Sequence, residues 1–296
     1  MDIAVVKETK SWVAVNKPPK LLSVPGRDIK AENLQNILEK KGFKRVYTVH
    51  RLDRDTSGLI LFAKDALAQK KLQKIFQKRE VRKRYWGLGV DNNAQRQEWF
   101  LRPFFQNVSE KIQVDLPLTF PPDRISHRVF VSLEKGKNSK TSFKIKGSAD
   151  WPQNNPGLKD STPAFKFLFK DEKLRKDAPL KDAIAKQLNH SQTLLPENSK
   201  LLWIEAEPES GRTHQIRVHL EALGMPLLCD HLYGYTQGRV VVVKGDQSEK
   251  VLFDHFLLHA RSLEFRCPIE NKDFSLIAPL HSGLERVYEA LGWKIE

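Results

Sequence analysis

Asp53 and Asp55 stand in the polar stretch His50-Arg51-Leu52-Asp53-Arg54-Asp55-Thr56-Ser57-Gly58, directly ahead of the apolar run Leu59-Ile60-Leu61-Phe62-Ala63. A carboxylate held on a loop by a rigid buried strand is a common way to present a catalytic group. Gly58 can close such a loop with a backbone angle that other residues avoid. Either Asp could instead merely cap the turn, and the stretch alone leaves that choice open. Three further segments carry groups of interest: Arg82-Lys83-Arg84-Tyr85, GRTHQIRVHL at 211–220, and Leu257-Leu258-His259-Ala260-Arg261.

The residues around these segments predict the elements that position them. The apolar run at 59–63 has strand length and the continuity of a strand covered on both faces. Asp65 reads as the N-cap of a helix to about Arg79, with Ala68, Leu72, Ile75 and Phe76 on one face and lysines on the other. A second helix is expected over 33–41, ending at Gly42, a third over 213–223, stopped by Gly224, and a last over 283–291. Strands are expected at 12–15, 81–90, 201–206, 240–243 and 262–265. Residues 130–133 and 141–146 read as two strands around a turn at Gly136. Residues 147–200 differ in composition, rich in Lys, Asp, Asn and Pro. They are expected to form a surface insertion with one helix near 178–189. Strands come in clusters and do not alternate strictly with helices, which favours an α+β fold with a mixed sheet.

At 296 residues the chain can bury a substantial core. It holds no apolar run long enough to span a membrane. Its first residues lack the layout of a secretory signal. Two cysteines, Cys229 and Cys267, make neither a disulfide framework nor a metal-like pair, so a reducing cytoplasm fits. The net charge of +14 points to a polyanionic partner. Between Lys64 and Trp86 nine basic residues face only two acids, Asp65 and Glu80, and Phe76, Tyr85 and Trp86 lie among them. Basic clusters mixed with aromatics suit RNA with unstacked bases better than a bilayer. His214 and His219, or His255 and His259, lack the further ligands of a metal site.

Taken together, the motifs resemble the RluA-type family of RNA pseudouridine synthases. The matching segments are HRLDRDTSGLILFAK at 50–64, KxY at Lys83 and Tyr85, GRTHQIRVHL at 211–220 and LLHA at 257–260. Asn16-Lys17-Pro18, followed by Leu21-Leu22-Ser23-Val24-Pro25-Gly26, is similar to the family's amino-terminal signature. The likeness covers roughly 12–146 and 201–280. It departs at Lys20 and Cys229, where glycine is usual, and at Cys267, where His is common. The resemblance implies an α+β pseudouridine synthase fold, a mixed, mostly antiparallel sheet flanked by helices around a central catalytic cleft. It implies one catalytic domain over 1–296, with the insertion at 147–200 and no amino-terminal S4 module.

The resemblance also implies roles. The family isomerises uridine in RNA, and its catalytic Asp falls on Asp53, ionised to attack C1′ or to take the C2′ proton. Its matching arginine is Arg212, which gives an expected Asp53–Arg212 pair. Tyr85 would stack on the uracil and serve as a late acid or base, and Leu258 would wall the pocket. The base must be everted. Arg51 is the first candidate to fill the gap, with Arg54 and His50 behind it. Lys83, Arg84 and the lysines of the 65–79 helix would grip phosphates. No cofactor or metal is implied, and a monomer is the simplest expectation. The RNA would be a stem-loop of 23S rRNA or tRNA. Two rivals stand beside this reading. Asp53-Arg54-Asp55-Thr56 is superficially like the box of Mg²⁺-dependent aspartate-nucleophile phosphatases, but its Thr comes one residue early and its strand follows the box instead of preceding it. The same scaffold could also be a catalytically silent RNA-binding protein.

Overall fold

The structure is a computed structural model that describes residues 2–26, 31–91, 105–108, 110–120, 128–150, 164–169, 199–234, 238–243, 249–253 and 255–295. The strands in chain order are β1 (Ala4–Glu8), β2 (Trp12–Lys17), β3 (Tyr47–Thr48), β4 (Ser57–Ala63), β5 (Arg82–Asp91), β6 (Phe105–Val108), β7 (Lys111–Asp115) and β8 (Leu118–Thr119). They continue as β9 (Phe130–Val131), β10 (Lys140–Asp150), β11 (Ala164–Phe169), β12 (Lys200–Pro208), β13 (Gly238–Val243), β14 (Glu249–Phe253), β15 (Leu258–Cys267) and β16 (Lys272–Ile277). The helices are α1 (Leu34–Lys40), α2 (Ala66–Gln77), α3 (Gln215–Ala222) and α4 (Ser282–Ala290).

Eleven strands form one mixed sheet in the order β1-β2-β4-β15-β5-β12-β10-β7-β6, with β3 added on β4 and β16 on β15. Its pairings are antiparallel except β4 with β15, where Ser57 faces His259 and Gly58 faces Ala260. Every residue of β4 is buried, as an apolar run with no exposed face requires. Gly58 adopts φ +104, and a Cβ there would lie 2.4 Å from the Ala260 carbonyl oxygen, so the close strand approach demands glycine.

Period-two alternation sorts side chains between the two faces. Leu202, Ile204 and Ala206 of β12 pack with Ile216 and Leu220 of α3. Leu201 and Trp203 point the other way, joining Trp86, Leu88 and Val90 of β5 against Leu284, Val287 and Tyr288 of α4. Leu72 and Ile75 of α2 and Leu34, Ile37 and Leu38 of α1 cover the β2–β4 end. Asp65 caps α2 as expected, accepting from the Ala68 amide, and Asn33 caps α1 in the same way.

Several expectations are corrected. Residues 130–133 and 141–146 do not pair with each other: β9 pairs with β8, and β10 lies between β7 and β12. The turn at Gly136 instead returns the chain to Pro117 and Leu118. Residues 147–150 complete β10, where Asp150 opposes Lys200, so the segment between them leaves the sheet at a matched pair of strand ends. From that segment β11 pairs with β13, which lies after α3, and β13 pairs with β14, in a separate three-stranded sheet. The helix expected near 178–189 lies outside the described residues.

Candidate active site

The loop that ends at β4 is fixed from three sides. Lys17, fully buried at the end of β2, donates from Nζ to the carbonyls of Pro18, Leu21 and Arg54, at 2.9, 2.7 and 2.9 Å. Burial pulls its ammonium down to about 7, against the opposing pull of Asp55 and Asp53. Ser23 both donates to the carbonyl of Leu52 and accepts from its amide. His50 accepts from the Leu61 amide at 3.1 Å and stacks on Phe76 at 4.4 Å. Burial lowers this imidazole to about 3, so it is a neutral support of the loop and not a cation offered to RNA. The Asp53 carbonyl takes the Thr56 amide in the closing turn.

Asp53 thereby projects into a cleft of about 610 Å³, between the 48–53 loop, α2, β5, the start of α3 and the first residue of β15. Its Oδ2 lies 3.4 Å from Nη1 of Arg217 and 3.9 Å from Nε2 of His214. Among the described residues nothing bonds Oδ1. Arg217 is buried in α3 and holds Asp230 through two parallel bonds, Nε to Oδ2 and Nη2 to Oδ1, each 2.7 Å. Its guanidinium lies over Phe256 at 4.3 Å and Tyr233 at 4.8 Å. Burial works against that charge, but the bonds to Asp230 and the charge of Asp53 raise it further.

This corrects the expected Asp53–Arg212 pair. Arg212 precedes α3, is exposed on the cleft rim, and reaches the Asn138 carbonyl at 3.5 Å. Arg217 takes the pair because it is buried within the helix, whereas Arg212 lies exposed ahead of it. The sequence did carry a hint: an arginine between Ile216 and Val218 on a packed helix needs a carboxylate partner. His214, Asp230 and Tyr233 were also missed as site residues.

The remaining residues sort plainly. Tyr85 of β5 and Leu258 of β15 line the cleft beside Asp53. Burial, then the nearby Asp53 charge, raises the Tyr85 hydroxyl well above its ordinary value, so it keeps its proton. Lys83 also lines the cleft, yet it is buried and donates to the Ser210 carbonyl at 3.1 Å. Burial, with Arg79 adding to it, lowers its ammonium to about 8. Arg84 bonds Glu264 at 2.8 Å and Glu207 at 3.5 Å, away from the cleft lining. Neither matches the expected phosphate grip. Arg54 is held on Asp55 by contacts of 3.0 and 3.1 Å, and Asp55, unlike Asp53, does not line the cleft as a phosphatase box would need. Arg51 is exposed at the rim and takes no ion pair among the described residues. The cleft side of α2 presents Gln69, Gln73 and Gln77 in place of its lysines, which lie on exposed faces.

Residues 11–222 match the RNA pseudouridylate synthase family. An uncharacterised RNA pseudouridine synthase of Mycoplasma pneumoniae is 28% identical over 293 residues, covering 98% of this chain and 71% of the relative. A dual-specificity RNA pseudouridine synthase RluA of Pasteurella multocida is 28% identical over 277 residues, 93% of this chain and 92% of its own. Among solved structures, human RNA pseudouridylate synthase domain containing 4 superposes with a TM-score of 0.57 at 19% identity, covering 99% of this chain and 94% of that one. Sequence and fold thus agree, and the chain belongs to the RNA pseudouridylate synthase family, as an RNA pseudouridine synthase of the RluA type.

Proposed function

We propose that Asp53 is the group that acts on the ribose of an everted uridine, through Oδ1. The observation that carries this reading is the division of labour on its carboxylate. Oδ2 is occupied by Arg217, and among the described residues nothing bonds Oδ1, in a cleft walled by Tyr85 and Leu258. Both routes to the sugar, attack on C1′ or removal of the C2′ proton, start from the ionised carboxylate. The N1–C1′ bond is broken, the uracil turns, and C5 bonds to C1′, with C5 giving up its proton and N1 taking one up. Atoms and electrons balance without a hydride carrier or phosphoryl donor. The Tyr85 ring gives the detached uracil a stacking surface. Its hydroxyl, held protonated, serves as a donor and not as a resting base. Arg51 enters the stack that the uridine leaves, a role its exposure at the rim supports. Arg212 beside it contacts the RNA backbone. The substrate is an unpaired uridine in a stem-loop of 23S rRNA or tRNA. The dual-specificity name of one relative and the NKP and LLSVPG segments support this.

Pseudouridine mapping of rRNA and tRNA from cells that lack the protein, complemented with wild type or Asp53→Ala, tests the assignment. The expected result is one or a few sites lost and restored by wild type alone, with RNA affinity of the Asp53→Ala protein within a few-fold of normal. Modification restored by the variant would remove Asp53 from the chemistry.

A further inference from the structure

A second ring faces the Asp53 carboxylate, and its hydrogen bonds fix which of its nitrogens carries the proton. His214 occupies the N-cap position of α3 with a left-handed backbone (φ 55), and its side chain does not cap the helix. Its Nδ1 lies 2.8 Å from the hydroxyl oxygen of Tyr233, and its Nε2 lies 3.9 Å from Oδ2 of Asp53. The Tyr233 oxygen also accepts the Val129 amide at 2.7 Å. Tyr233 is buried, and burial is the main cause that raises its hydroxyl above the ordinary range, so the phenol keeps its proton. A buried O–H needs an acceptor, and among the described residues the acceptor in reach is His214 Nδ1. Nδ1 therefore offers its lone pair to Tyr233, which leaves the proton of the neutral imidazole on Nε2, the nitrogen turned toward Asp53.

Resting on the reading that Asp53 does the chemistry, we propose that His214 is a positioning residue, a tautomer-locked N–H donor to Oδ2 of Asp53, and that Tyr233 is the lock. Arg217 and His214 converge on that one oxygen, and Oδ1 is left to the sugar. The separation of 3.9 Å exceeds hydrogen-bond length, and the bond closes to about 3 Å when substrate enters the cleft, as catalytic contacts do on binding. With the opposite tautomer a nitrogen lone pair would face the carboxylate, and the oxygen would lose one of its two supports. Glutamine at this position can bring an amide N–H to the place of Nε2–H, leucine cannot, and neither has a tautomer to lock.

The test is single-turnover isomerisation at saturating RNA, on rRNA and tRNA from cells lacking the protein. Wild type and Asp53→Ala set the bounds, and thermal midpoints are measured alongside. His214→Leu is expected to slow the step roughly ten- to a hundredfold, the worth of a bond to a charged group, with RNA affinity within about twofold. His214→Gln recovers most of that loss. Tyr233→Phe slows the reaction alone, by freeing the tautomer, but adds less than about twofold in the His214→Gln background, since the two residues act through one bond. Wild-type rates in His214→Leu, a Gln variant no better than Leu, or an equal Tyr233→Phe loss in both backgrounds would each overturn this inference alone. A wild type that forms no pseudouridine on either RNA would overturn it together with the proposed function.

Discussion

Arg212 and Arg217 belong to one ten-residue motif, yet their environments differ in kind. Arg217 is buried against a carboxylate with no exposed surface, whereas Arg212 is exposed at the rim. Removing one partner of a buried ion pair leaves the other uncompensated. Arg217→Met should therefore cost about 3–5 kcal/mol of stability and abolish isomerisation, as read by denaturant unfolding and pseudouridine formation. Arg212→Met should leave stability within about 0.5 kcal/mol and weaken RNA binding, a contrast that an Asp53–Arg212 pair would reverse. At this scale the sequence was legible for Asp53, Tyr85 and Leu258, which do share the cleft. It was not legible for the arginine. Two candidates stood five residues apart, and the choice depends on where α3 begins and which face it turns inward.

Among the elements, β4 and α2 followed their sequence signals because each has a strong local cause: an unbroken apolar run, and an Asp N-cap ahead of one apolar stripe. Gly58 shows how narrow that fit is. Gly58→Ala places a Cβ at 2.4 Å from the Ala260 carbonyl oxygen at φ +104. It should destabilise the fold by at least roughly 2–3 kcal/mol, measured as a lowered unfolding midpoint, with the Asp53 loop losing activity even where the protein remains folded. The misread pair at 130–133 and 141–146 has an equally physical cause. A turn between two strand-like segments suggests a hairpin, but β10 finds longer partners in β7 and β12, one of them sixty residues away in sequence. Strands such as β1 and β16 were missed because they leave apolar residues such as Val5 and Ile277 exposed beside charged ones, so apolar and polar positions do not alternate with burial.

For the whole molecule, buried ionisable groups set the response to pH. Burial lowers His50 to about 3, His219 to about 4 and His259 to about 3. The unfolded chain therefore binds protons that the folded one refuses as pH falls below about 6.5. Stability is then lost at about 1.4 kcal/mol per pH unit for each histidine, down toward pH 4. Lys83, lowered to about 8, has the same sign at higher pH: the unfolded state holds the extra proton up to about 10.4, so stability rises from pH 8 toward 10. Thermal midpoints should climb from pH 5 to pH 9, and a maximum near pH 6 would contradict this. The exposed lysines of α2 act at the same scale on RNA. If Lys70, Lys71 and Lys74 meet phosphates, replacing each with Gln should reduce the salt slope of single-strand binding by about 0.7.

Strand β15 joins the two halves of the main sheet, lying between β4 on one side and β5 on the other. Its first residue, Leu258, is also the wall of the cleft. A nascent chain that has not yet released residue 258 from the ribosome therefore has its carboxylate and its tyrosine on unconnected pieces. Such distant pairing forms late in folding. Isomerisation by ribosome-tethered chains should begin only after the stretch through Cys267 emerges, so until then the enzyme stays silent toward RNA.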